Sequence, residues 1–301
     1  MHSENQYLEL PLLKEKDVRI ALKREDLLHP MVSGNKYRKL KYNLKEAQQS
    51  GYRNVLTFGG AYSNHIAATA SACKMHKLGS IGIIRGDELS GRWQENPTLK
   101  MAHENGMRFK FVDRETYRKR EELDFLVSLR EEFGEFFLVP EGGTNALAIK
   151  GCGEILEEED KVFDIICVCV GTGGTIAGLI NTANNNQQVL GFPVLKGDFL
   201  ENDIKELTEK RNWSLDLNYH FGGYGKINEE LVAFINQFKQ QTAIPLDPVY
   251  TGKMMYGLLD RVKNDNFVPG TQILAIHTGG IQGVHGMNKV LLKKKLPLLD
   301  I

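Results

Sequence analysis

Along the chain, short runs of β-branched and apolar residues alternate with longer stretches whose apolar positions recur at helical spacing. Residues 55–58, 80–84, 108–112, 136–139, 164–170, 189–194 and 272–277 read as strands, each followed by a glycine or polar turn and then a helical pattern. This alternation is the signature of an α/β protein with mainly parallel sheets. Two stretches, 114–132 and 154–161, carry mixed charge at helical spacing and read as solvated helix faces without a function of their own. No internal repeat, Pro-rich linker or low-complexity segment marks a boundary between lobes.

Length and composition narrow the picture. With 301 residues, 42% of them hydrophobic, the chain sits near the upper limit for one undivided core, so two lobes are expected. Its 38 basic residues cancel its 38 acidic ones, which removes the field that would attract nucleic acid and favours a small metabolite as partner. No apolar run approaches the roughly 20 residues of a membrane span. Residues 1–9 are polar and lack the features of a secretory or transit signal, so a cytoplasmic protein is expected. Cys73, Cys152, Cys167 and Cys169 form no C-x-x-C pair and have no histidine at zinc-finger spacing. They read as reduced core residues, with no metal site.

Three segments carry candidate chemistry. In Ser33-Gly34-Asn35-Lys36-Tyr37-Arg38-Lys39-Leu40-Lys41, cap-forming residues precede a stripe of Leu40, Leu44 and Ala47, which predicts a helix start. Lys36 falls in the first turn, where partial burial and the positive end of the helix dipole both favour a neutral amine able to attack a carbonyl. Read alone, Lys36, Arg38, Lys39, Lys41 and Lys45 form a basic surface patch, the ordinary placement of such side chains. In Gly59-Gly60-Ala61-Tyr62-Ser63-Asn64-His65, a loop of small residues leads into an Ala-rich helix, 66–77, and offers free backbone N–H groups to a carboxylate. Ser63 and Asn64 read equally as N-cap residues, and His65 as an ordinary first-turn residue. In Gly171-Thr172-Gly173-Gly174-Thr175, between a buried strand and the helix 176–181, successive N–H groups and the helix dipole suit a phosphate. The segment is not a Walker loop, and Ile176 stands where G-x-G-x-x-G has its last glycine, so a nucleotide is not specified. A tight turn without a ligand is the alternative.

Together with Asp-Pro-Val-Tyr-Thr-Gly-Lys (247–253) and His-Thr-Gly-Gly (277–280), these segments resemble the motifs of the 1-aminocyclopropane-1-carboxylate (ACC) deaminase and D-cysteine desulfhydrase family, in the expected order over nearly the whole chain. Those enzymes have the tryptophan synthase β fold and use pyridoxal 5′-phosphate (PLP). The resemblance implies a two-domain α/β fold with PLP in the interdomain cleft, residues 1–49 and 146–301 forming the large PLP-binding domain and 50–145 the small one. It implies that Lys36 forms the Schiff base with PLP and later moves the Cα proton. Gly171, Thr172, Gly173, Gly174 and Thr175 match the phosphate cradle, with Lys39 as an additional charge. Asn64 matches the amide on the PLP phenolic oxygen, and Ser63 with the backbone amides of Asn64 and His65 matches the substrate carboxylate site. Tyr224 and Tyr250 match two active-site tyrosines, which outside these contexts would read as core aromatics. A small amino-acid substrate and a homodimer are implied as well.

Two positions bear on the reaction. In ACC deaminases the tyrosine of Asp-Pro-Val-Tyr is followed by glutamate and the last strand leads into His-Leu-Gly-Gly, whereas D-cysteine desulfhydrases carry a hydroxyl residue at both places. Here they are Thr251 and Thr278. A carboxylate beside the pyridine nitrogen makes PLP a strong electron sink, while a threonine hydroxyl leaves a weaker one, which suffices to remove a Cα proton and expel thiolate. The chain thus resembles a D-cysteine desulfhydrase, giving pyruvate, ammonia and hydrogen sulfide, more than an ACC deaminase, giving 2-oxobutanoate and ammonia. Other β-substituted D-amino acids stay open as substrates, and a non-catalytic PLP-binding protein and a nucleotide-dependent oxidoreductase are the remote alternatives.

Overall fold

The computed structural model describes residues 1–300 apart from Met31 and Ser33, so the Ser33 part of the expected helix cap lies outside the described residues. In chain order the strands are β1 (Asn5–Tyr7), β2 (Arg19–Lys23), β3 (Asn54–Gly60), β4 (Gly79–Arg85), β5 (Met107–Val112), β6 (Phe137–Val139), β7 (Ile165–Val170), β8 (Gln188–Pro193), β9 (Trp213–Leu215) and β10 (Gln272–Ile276). A six-stranded sheet runs β1-β2-β10-β7-β8-β9 and a four-stranded sheet runs β5-β4-β3-β6. Every neighbouring pair is parallel except β1 with β2. The α/β class and the mainly parallel sheets are those the hydrophobic pattern predicts.

Strand β7 shows why its sequence is a continuous apolar run. Alternate side chains leave a strand on opposite faces. Cys167 and Cys169 pack with Leu22, Leu190 and Met255 on one side, while Ile166, Val168 and Val170 pack with Ile176 and Leu179 on the other. Both faces are covered, so no position is left for a polar residue. All four cysteines are buried and free of disulfides.

Strands β1, β2 and β9 carry no comparable signal. In β2, Arg-Ile-Ala-Leu-Lys, the apolar centre is short and charges stand at both ends. Lys23 is nevertheless fully buried, its Nζ 2.8 Å from Asp160 Oδ2. This pair corrects the expectation for 154–161: the segment forms a 3-10 turn, Glu158–Val162, rather than a solvated helix face, and Asp160 points inward at 1% exposure. A buried ammonium is tolerated only with a buried counter-charge. The stretch 114–132 divides into helices Arg114–Arg118 and Leu123–Phe133, and Arg120 between them reaches the cleft described below.

The helix Asn35–Gln49 packs Leu40, Leu44 and Ala47 against Val55, Ala68, Ala72 and Val139. By its core it sides with the smaller sheet, although the expected boundary puts residues 1–49 with the larger. Its N-terminus reaches the larger sheet, where Asn35 N–H donates to Thr278 O at 3.4 Å. Among the described residues no helix is long and apolar enough to cross a membrane.

Candidate active site

The loops at the C-terminal ends of β3, β4, β7, β8 and β10 open on one cleft of about 680 Å³. This is the end of a parallel sheet where helix N-termini and free loop amides collect. Lys36, Lys39, Ser63, Asn64, His65, Gly171, Thr172, Gly173, Thr175, Tyr224, Tyr250 and Thr278 all line it. Gly174 belongs to the same loop, and a Cβ there would stand 2.8 Å from Thr144 Oγ1.

Lys36 is placed by the glycine before its helix. Gly34 adopts φ +66°, and a Cβ on it would fall 1.9 Å from Thr278 O, so the helix starts this close to the end of β10 only because the residue is glycine. Lys36 Nζ donates to Asn35 Oδ1 at 3.2 Å, and Asn35 Nδ2 donates to Thr175 Oγ1 at 2.8 Å. The lysine is thereby tied to the glycine loop. Burial lowers the Lys36 amine below the ordinary lysine value. Lys39 Nζ donates to Gly142 O at 2.8 Å, to Thr144 Oγ1 at 3.1 Å and to Thr172 Oγ1 at 3.4 Å. Burial, and then the nearby Lys36 charge, pull its pKa down to about 7.

At the glycine loop, Gly173 adopts φ +79°. No backbone acceptor among the described residues takes the N–H groups of Thr172, Gly173, Gly174 and Thr175, which precede or open the helix Gly174–Thr182. Free amides, a helix start and the Lys39 ammonium beside Thr172 make a donor set for a three-oxygen anion. With the Lys36 amine at the same cleft, the residues present fit a phosphate-bearing aldehyde such as PLP.

Across the cleft the helix Asn64–Met75 begins, with Ser63 Oγ accepting from Ile66 N at 3.4 Å. The N–H groups of Asn64 and His65 have no acceptor among the described residues, so the helix start offers two donors. Asn64 Oδ1 accepts from Gln282 Nε2 at 3.1 Å, which fixes the amide and leaves its NH2 to the cleft. The His65 ring turns inward instead: it is 2% exposed and its Nε2 lies 2.8 Å from Thr57 Oγ1. Burial, with Lys36 and Lys39 close by, holds His65 well below the usual histidine range and therefore neutral. Its contribution to a ligand is the backbone N–H.

Tyr224 and Tyr250 meet edge to face with ring centroids 6.0 Å apart. Local desolvation of the hydroxyls raises both phenols, Tyr250 well above the ordinary value, although the Tyr224 side chain is 48% exposed, and each is a proton donor at neutral pH. Tyr224 rides on a loop in which Gly222, Gly223 and Gly225 all have positive φ. The buried Lys253 pins that loop by donating to His220 O and Gly223 O, each at 2.8 Å.

The two threonines part company. Thr278 lines the cleft, its Oγ1 3.1 Å from Cys169 Sγ. Thr251 does not line the cleft and is fully buried: its hydroxyl donates to Asp247 Oδ1 at 2.9 Å and accepts from Asp247 N at 2.8 Å. This corrects the pairing of both threonines with the cofactor, because a hydroxyl closed into an Asx turn has no hydrogen to offer elsewhere. Asp247 itself accepts from the N–H groups of Val249, Tyr250 and Thr251, and burial pushes its carboxyl up. It is not a free anion for a ring nitrogen.

Other lining residues escape the sequence reading. Asn35 lies inside a quoted motif and Gln282 just beyond one, while Arg85 ends β4 and Glu141 follows β6. The rule that ligands gather at the carboxyl ends of parallel strands points to Arg85 and Glu141 once the strands are assigned. Arg120 has no such signal.

The family model described as pyridoxal-phosphate dependent enzyme matches residues 2–279. A putative 1-aminocyclopropane-1-carboxylate deaminase of Pyrococcus horikoshii is 33% identical over 295 residues, covering 91% of this chain and 88% of that protein. A D-cysteine desulfhydrase of Klebsiella pneumoniae is 30% identical over 284 residues, covering 87% of this chain and 86% of its own length. The crystal structure of an ACC deaminase homologue superposes with a TM-score of 0.82 at 30% identity, covering 97% of this chain and 94% of that one. The expected tryptophan synthase β-like fold agrees with this likeness, and the cofactor is PLP. With a glycine loop and a lysine that fit that cofactor, the chain belongs to the pyridoxal-phosphate dependent enzymes of the ACC deaminase and D-cysteine desulfhydrase family.

Proposed function

We propose that the protein is a D-cysteine desulfhydrase acting as a cytoplasmic homodimer. Lys36, Lys39 and Gly171 to Thr175 hold PLP, with Asn64 and Thr278 at its ring. Bound PLP supplies an electron sink in conjugation with the substrate Cα. The substrate carboxylate docks on the N–H groups of Asn64 and His65 beside Ser63, which orients Cα toward Lys36. Lys36 Nζ, deprotonated more readily than an exposed lysine, accepts the Cα proton. The Cβ–S electron pair leaves on sulfur, and the phenols of Tyr224 and Tyr250 are placed at the cleft to protonate it. The released enamine takes up water to give pyruvate and ammonia.

One observation carries this reading over ACC deamination: the cleft residue at the second diagnostic position is Thr278, a hydroxyl beside Cys169. Opening a cyclopropane ring that has no Cα proton calls for the stronger sink that a carboxylate provides. The measurement is the ratio of kcat/KM for D-cysteine and for ACC in the unmodified protein, since it compares transition-state stabilisation directly. Sulfide and pyruvate from D-cysteine with little 2-oxobutanoate from ACC are expected. Efficient ACC ring opening without sulfide from D-cysteine would establish the ACC deaminase alternative that the Pyrococcus relative's name carries.

A further inference from the structure

The cleft is lined by two guanidinium groups that this reaction does not use. Besides Lys36 and Lys39 it is lined by Arg85 and Arg120, against Glu141 and Asp203. Arg120 Nε lies 3.1 Å from Glu141 Oε2, so its charge is matched within the wall. Arg85 has no ion-pair partner among the described residues. It is exposed at the end of β4 and rests its guanidinium on a ring, with Cζ 5.6 Å from the centroid of the buried Tyr117, which also carries Arg120 at 5.5 Å. A guanidinium held against an aromatic ring presents a preorganised fork of donors to a planar anion.

Its position is equally specific. A Cβ built on Gly60 would lie 3.7 Å from Arg85 Nη2, so the guanidinium stands over the first part of the Gly59 to His65 loop. The Ser63 N–H donates to Gly60 O at 3.0 Å and closes this loop into a turn. Arg85 thus stands at the entry of this turn and the Asn64 and His65 amides at its exit, and all three residues line the same cleft.

We propose that Arg85 is a specificity-determining residue that binds a second anionic group, carried on the side chain or β-substituent of the amino-acid substrate, while the α-carboxylate occupies the helix start. The inference rests on the amino-acid reading of the cleft given above and extends its substrate class to β-substituted amino acids ending in a carboxylate, sulfonate or phosphate. Arg120, neutralised by Glu141, is the positioning partner that fixes the Tyr117 ring from its other contact.

The test is calorimetric titration of the PLP-loaded protein with aspartate and glutamate, with their amides asparagine and glutamine, and with alanine, each in both enantiomers. At least one acid should bind about ten-fold or more tightly than its amide, the size of a charge-assisted hydrogen bond. Arg85→Gln should bring that ratio close to one, Arg85→Lys should restore part of it, and added salt should shrink it in the unmodified protein. Equal affinity for acid and amide, with alanine binding, overturns the subsite alone, as does an acid preference that survives Arg85→Gln. Failure of alanine and every other amino acid to bind overturns the amino-acid reading of the cleft and the subsite with it.

Discussion

Two lysines line the cleft; burial makes the charged form of each costly, and the Lys36 charge further disfavours the Lys39 ammonium. Lys36 is half-buried at the first turn of its helix and is the amine we assign to the cofactor aldehyde. Borohydride reduction of the purified protein followed by peptide mapping should place the pyridoxyl group on Lys36, and Lys36→Ala should abolish turnover; an adduct on another lysine would sink the assignment. Lys39, its pKa pulled down to about 7, is protonated below that value and neutral above it. An anion at Thr172 favours the protonated amine, so anion affinity should be greatest below about pH 7 and fall as pH rises through and beyond it, by up to about ten-fold per unit. Sulfate, whose charge is constant in this range, is the suitable probe for the cofactor-free protein. Lys39→Met should weaken sulfate binding at pH 6 and flatten the profile; an unchanged profile would place the titrating group elsewhere.

Among the elements, the helix Asn35–Gln49 does two jobs, packing on the smaller sheet through Leu40, Leu44 and Ala47 while its N-terminus abuts the end of β10. Gly34 is the joint. Any side chain there meets Thr278 O and also adopts a φ that only glycine holds without strain of about 1–3 kcal/mol. Gly34→Ala should therefore displace the start of this helix relative to Thr278 and weaken PLP binding by more than its loss of global stability would explain. Fluorescence titration with PLP, compared with denaturant unfolding of the same variant, separates the two, and wild-type PLP affinity would show that the joint tolerates movement. The Leu40, Leu44 and Ala47 stripe made this helix legible in the sequence, and the small residues at 59–60 and 171–174 made both helix-start sites legible, because each requirement is local to a few backbone positions.

Across the molecule, buried ion pairs fasten distant segments. Glu25 is fully buried and Arg38 is 2% exposed; Arg38 Nε and Nη2 donate to the Glu25 carboxylate at 2.9 and 2.8 Å, and Ser3 Oγ donates to it at 2.7 Å. The N-terminal segment, the turn after β2 and the Lys36-bearing helix meet at this carboxylate. Removing one partner leaves a desolvated charge, so Glu25→Ala should lower the free energy of unfolding by about 3–5 kcal/mol. Adding Arg38→Met to it should recover a large part of that loss. A change below about 1 kcal/mol in the single variant, measured by denaturant unfolding, would mean that water or another acid takes over the guanidinium.

The order of strand, glycine loop and helix is written in stretches of a few residues, since backbone conformation and face periodicity are local properties. That is why the parallel sheets, the Lys36 turn and the glycine loop could be read directly from the chain. Which side chain a buried group meets is a long-range matter. Nothing near Thr251 announces that its hydroxyl closes on Asp247 while Thr278 opens to the cleft. Likewise Lys23 finds Asp160 across the fold, and Arg120, in a stretch patterned like a solvated helix, joins Arg85 at the cleft wall through a ring they both touch. Hydrophobic periodicity states that a face is buried but is silent on what covers it, and the low-dielectric interior in which charges must be paired exists only once the two sheets have come together.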